Sequence, residues 1–87
     1  MNAKEINQMI EDQCLNDGRF AIDLFIVKDG VKLVKTQFQT LKFEDSNKHQ
    51  LWLVYAGRYG VKIDFKPITN YEFNRRHGKR ELTLFLA

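Results

Sequence analysis

Six consecutive residues, Arg75-Arg76-His77-Gly78-Lys79-Arg80, place four permanent cations and a histidine around a glycine. That composition suits the recognition of anions better than the breaking of bonds. Guanidinium groups give two parallel hydrogen bonds to a phosphate or carboxylate, and ammonium groups act as point charges. Tyr71 and Phe73 precede the run, and Arg58 with Tyr59 forms a second basic and aromatic pair. Rings beside phosphate-binding cations suit base stacking. The same residues also describe a charged turn that keeps a hairpin soluble, with its rings in the core. No ribonucleoprotein strand motif, GXXG loop or zinc-finger spacing accompanies them. The polyanion- or partner-binding set expected from sequence is Arg58, Tyr59, Tyr71, Arg75, Arg76, His77, Lys79 and Arg80, with every cation of the run expected on the surface.

Two other groupings have the residue types for catalysis. Asp64-Phe65-Lys66 sets a carboxylate and an amine two apart on one strand face, the pair that metal-dependent nucleases use to hold Mg²⁺ and activate water. Glu11, Glu44 or Asp45 would have to supply a second acid, and the helix and strand expected to follow such a nuclease core are missing. Strands with a wet face also alternate opposite charges for no catalytic reason. His49 and His77 could share acid and base roles in metal-free RNA cleavage, but both fall in expected loops with nothing to bring them together. No Ser-His-Asp spacing, phosphate-binding loop or dinucleotide fingerprint occurs. Cys14 is the single cysteine, which excludes an internal disulfide and a four-ligand cysteine zinc site even with both histidines. It is expected as a small buried hydrophobe. Trp52 is expected in the core, with a binding anchor as the alternative. The expectation is a protein without catalytic residues, metal or cofactor.

The elements that must position these groups follow from periodicity. Ile6, Met9, Ile10 and Cys14 recur at spacings of three and four, predicting an amphipathic helix from about Ala3 to Asn16. Asn2 caps its first turn with Glu5 completing a capping box, and Gly18 supplies the left-handed stop. From Arg19 to Lys28 the period is two, and Asp29-Gly30 fits the centre of a type I′ hairpin turn. The second arm runs from Val31 towards Phe43. There Val31 and Leu33 share one face and Val34 and Phe38 the other, which a bulge or bend near Val34 would reconcile. A polar loop, Glu44 to Gln50, then divides two hairpins. Leu51 to Ala56, apolar on both faces, predicts an inner strand, and Gly57 and Gly60 bracket the turn after it. Val61, Ile63 and Phe65 alternate with charged residues until Pro67, and a last pair of strands returns through His77-Gly78 to Ala87. The fold class expected is α+β, an N-terminal amphipathic helix on an antiparallel meander of five to six strands, all in one small domain, 1–87.

With 87 residues, 44% apolar and 29% charged, such a domain buries about 60 to 65% of its unfolded surface, leaving little room for a deep cleft. No apolar run approaches a membrane span and Met1 to Gln8 is polar, so a cytoplasmic, membrane-free protein is expected. Charge is uneven: residues 1–30 carry three bases and six acids, the remainder eleven bases and five acids, for a net +3. That asymmetry suits a polyanionic partner. Two functions are expected, the first from this asymmetry and the second from small size and the lack of a catalytic constellation. One is a non-enzymatic module that binds nucleic acid or a nucleoprotein complex through residues 58 to 80. The other is an inhibitor or adaptor, of the kind phages and mobile elements encode, that docks on an acidic protein surface of a host enzyme or defence complex.

Overall fold

A computed structural model describes residues 1–44, 49–55 and 59–87. Its elements are α1 (Ala3–Asp12), β1 (Ile22–Lys28), β2 (Val31–Phe38), β3 (Thr40–Glu44), β4 (Gln50–Tyr55), β5 (Tyr59–Asp64), β6 (Ile68–Arg76) and β7 (Lys79–Leu86). The fold is α+β: one N-terminal helix packs on two antiparallel-rich sheets whose strands mostly meander. Seven strands stand among the described residues because the long second arm breaks at Gln39. Its amide donates to the Val54 carbonyl at 2.9 Å, and the chain passes there from one sheet to the other. The polar stretch after β3 consequently lies between β3 and β4, which pair from Thr40↔Val54 to Glu44↔Gln50, and does not divide two hairpins.

The first sheet has the order β2-β1-β7-β6 and the second β3-β4-β5. Within the first, β1 pairs antiparallel with β2 but parallel with β7, Ile22 standing beside Arg80 and Ile26 beside Leu84. Both hairpins of this sheet use two-residue turns with both central residues left-handed, Asp29 and Gly30 at φ 53° and 77°, His77 and Gly78 at 51° and 76°. The expected bulge is present: Ile26 faces Val34 and Val27 faces Lys32, leaving Leu33 unopposed.

Helix α1 starts as its sequence predicts. Asn2 Oδ1 accepts from the Glu5 amide at 2.9 Å, although Glu5 answers the Asn2 side-chain amide, at 3.4 Å, in place of the backbone. Its end differs from expectation. Cys14 is exposed, at φ 54°, and it, not Gly18, is the left-handed residue that stops the helix. The Cys14 amide donates to Glu11 O at 3.2 Å and the Leu15 amide to Ile10 O at 3.0 Å, the two bonds of a Schellman cap. The reversal turns Leu15 inward to complete the buried set with Ile6, Met9 and Ile10. The Leu15 carbonyl accepts from the Leu41 amide at 2.8 Å, tying the cap to β3.

One hydrophobic cluster joins these helix residues to Ile22, Leu24, Ile68, Leu82 and Leu84 of the first sheet and Leu41, Leu51 and Leu53 of the second, with Phe38 and Phe65. Strand β4 is the inner strand of its sheet, as predicted, but only one of its faces meets the core, with Leu51 and Leu53 buried and Tyr55 packed against the cluster. A single helix cannot cover the outer faces of two sheets. No described helix is long and apolar enough to cross a membrane.

Candidate nucleic-acid interface

The basic run divides at Arg80. Strand β7 alternates Arg80, Leu82 and Leu84 on its inner face, so the period of two that buries the leucines turns this arginine inward, leaving it 7% exposed. Its Nη1 donates to the Cys14 carbonyl at 3.0 Å and its Nη2 to the Phe20 carbonyl at 2.7 Å, with Asp17 Oδ1 at 3.6 Å. Arg80 is therefore a clamp on the segment between α1 and β1, and the expectation of a solvated cation there is corrected. The three acceptors compensate most of the cost of burying a guanidinium, although Nε is buried without a partner among the described residues.

The clamp determines what stands at this end of the sheet. Phe20 is 66% exposed, and the Arg80 guanidinium lies 5.9 Å from its ring centroid. Arg19 beside it is exposed, its amide donating to Asp17 Oδ1 at 3.0 Å. Arg75 is the cross-strand partner of Arg80, and Arg76 pairs with Lys79 across the His77-Gly78 turn. Arg75, Arg76, His77 and Lys79 are all exposed. Arg19, Arg75, Arg76 and Lys79 thus share one sheet end with an exposed ring. The acid in the same segment, Asp17, is held to Arg80.

Other expected site residues are elsewhere. Tyr71 is half-buried against the core and lines a shallow cleft with Lys4, Glu5, Gln8, Met9 and Asp12. Phe73 is also packed against the core, with the Arg75 guanidinium 5.8 Å from its ring. Tyr59 begins β5, in the other sheet, and Arg58 lies outside the described residues. Sequence reasoning passed over Arg19 and Phe20. Phe20 is in phase with Ile22 and Leu24 and reads as one more core position, and only its place beyond the end of the strand exposes it.

The remaining constellations do not converge. Asp64 Oδ1 accepts from the Lys66 amide at 3.0 Å, so its carboxylate caps the turn into Pro67. Glu44, a candidate second acid, is paired with Lys62 at 3.0 Å, and Glu11 is on the exposed side of α1. Asp45 lies outside the described residues. No group of three or more His, Cys, Asp or Glu side chains able to hold a metal occurs among the described residues. His49 packs edge-on to Phe65, ring centroids 5.5 Å apart, whereas His77 is exposed at the tip of the first sheet.

Trp52 is not in the core. It stands on the outer face of β4 between Lys42 of β3 and Lys62 of β5, half-exposed, and the Lys62 ammonium is 5.3 Å from its ring. Gly60, expected in a turn, lies within β5, where a Cβ would come 2.5 Å from Cζ2 of Trp52. The indole occupies the space that this glycine leaves. Comparison with protein-family models, curated proteins and solved structures found no match to the chain.

Proposed function

We propose that this protein is a non-enzymatic module that binds nucleic acid, free or within a nucleoprotein complex, through the end of its first sheet. One observation carries the reading: buried Arg80 fastens the segment holding Arg19 and exposed Phe20 beside the hairpin that carries Arg75, Arg76, His77 and Lys79. Four cations and a ring on one end of the sheet have the chemistry for phosphate neutralisation with stacking as a second contribution.

The test is a triple variant, Arg75→Ser, Arg76→Ser and Lys79→Ser, that leaves Arg80 in place. These exposed changes should alter stability by about 0.5 kcal/mol or less each. If all three residues contact phosphates, the slope of log affinity against log salt should fall by roughly 2 to 3 in total. A folded triple variant with wild-type affinity and salt slope for DNA and RNA refutes the proposal.

A second reading, an inhibitor or adaptor docking on an acidic protein surface, is favoured by edge strand β2. There Val31, Leu33 and Val34 are exposed among Lys28, Lys32 and Lys35. Apolar side chains within a basic rim suit an acid-rimmed partner surface.

A further inference from the structure

The geometry points to a second contact in the same protein: the outer face of the three-stranded sheet, centred on Trp52, stacks an unpaired base of single-stranded nucleic acid. The ligand class rests on the function proposed above, but the observations are separate. A row of Lys42, Trp52 and Lys62 crosses three adjacent strands on one face. Neighbouring strands are about 4.8 Å apart, so the Lys42 ammonium can reach a phosphate attached to a base lying on the indole, and the Lys62 ammonium can do so by leaving Glu44, its partner at 3.0 Å. The ring lies over Gly60 on the neighbouring strand, because only a residue without Cβ leaves it room. Lys42, Phe43, Glu44 and Lys62 complete a shallow open cleft of about 360 Å³ around it.

Charge on this face gives a nucleic-acid strand a direction. Glu44 and Asp64 belong to the adjoining row with Gln50, and each is engaged, Glu44 with Lys62 and Asp64 with the Lys66 amide. The row on the opposite side, Thr40, Val54 and Gly60, is uncharged. A phosphate backbone therefore passes over Thr40, Val54 and Gly60 with Lys42 and Lys62 at its side, on the far side of Trp52 from Asp64, while Glu44 in the cleft wall is held by Lys62. Single strands are specified because a paired base already has both faces covered by its neighbours, whereas the half-exposed Trp52 ring, packed on Gly60 with the Lys62 ammonium 5.3 Å over it, can take only an unstacked base in the place of that ammonium.

Trp52 is the only tryptophan, so its fluorescence reports on this face alone. The experiment titrates the protein with a short oligo-thymidylate and, separately, with duplex DNA of equal length. Indole emission is followed together with the anisotropy of a label on the DNA. Oligo-thymidylate should quench Trp52 in step with binding, duplex should not, and Trp52→Leu should weaken oligo-thymidylate binding by roughly tenfold, with Trp52→Tyr restoring most of it. At saturating oligo-thymidylate the triple serine variant of the basic turn should still show the quench. Binding by anisotropy with unchanged emission, or equal quenching by duplex, overturns the stacking inference and leaves the basic-turn reading standing; in that case the indole only fills the space above Gly60. No binding of either DNA by either measurement overturns the inference and, if RNA also fails to bind, the basic-turn reading. Should Trp52→Leu fail to fold, the wild-type quench alone decides.

Discussion

The two sheets share a core and each carries lysines beside an outer-face ring, but among the described residues only the four-stranded sheet also gathers arginines at one end. In the four-stranded sheet the exposed arginines collect at one end, around a tight turn, while its outer face mixes acids and bases and carries Phe25 beneath Lys32 at 4.5 Å. In the three-stranded sheet two lysines lie on the face itself, either side of Trp52. A charged end projects its field into solvent and acts at long range, whereas a ring on a face acts only in contact. Under the proposed function the difference corresponds to a division of labour, with attraction at the end of one sheet and discrimination on the face of the other.

The severest challenge to that picture is to remove what the sheets share. Ile10 is 2% exposed in the joint cluster, so Ile10→Asp buries an unpaired carboxylate and should cost about 4 kcal/mol. Denaturant unfolding followed by Trp52 emission and by far-ultraviolet circular dichroism should then show one early transition for both. Two separated transitions would mean that the sheets fold independently and that the shared cluster does not couple them.

A smaller and one-sided effect belongs to Arg80. Replacing it with methionine roughly keeps the volume but takes the donors from the Cys14 and Phe20 carbonyls and the ion-pair partner from Asp17, for a loss of about 3 kcal/mol. Under native conditions amide exchange should rise first in the segment between α1 and β1, with Trp52 emission unchanged. If that segment stays protected, Phe20 is held by something other than the clamp, and the proposed interface loses its support.

The smallest effect sharpens the picture from the helix side. Cys14→Gly relieves a side chain from a left-handed position and should stabilise the protein by about 1 kcal/mol, raising the melting temperature by about 5 °C. An unchanged or lower melting temperature would show that the exposed Cys14 side chain contributes contacts that offset its backbone strain.

Most of the elements were legible in the sequence because each advertises itself locally. Alternation defines β1 and β5, Asp29-Gly30 and His77-Gly78 define the β1–β2 and β6–β7 turns, and the clash of phases between Leu33 and Val34 locates the bulge. Long-range choices were not legible. Glycine is the usual left-handed residue and points to Gly18 as the helix stop, yet burying Leu15 requires the reversal at Cys14, where no glycine is available. Trp52 was expected inside because β4 is apolar on both faces, although one helix has too little surface to cover them both. Arg80 did carry a readable signal, its phase with Leu82 and Leu84, which the density of positive charge around it concealed.

The parallel seam between β1 and β7 bears on how the molecule reaches this state. Each hairpin of the four-stranded sheet closes through a two-residue turn and can form locally in about 1–10 μs. The seam joins strands from nearly opposite ends of the chain, and its loop-closure entropy must be met before any of its hydrogen bonds form. Until then β1 and β7 are both open edges, rich in Ile, Leu, Val and Phe. The interval before they meet is when the chain is most exposed to pairing with another copy, so the slow step of folding and the chief hazard of aggregation lie at the same junction.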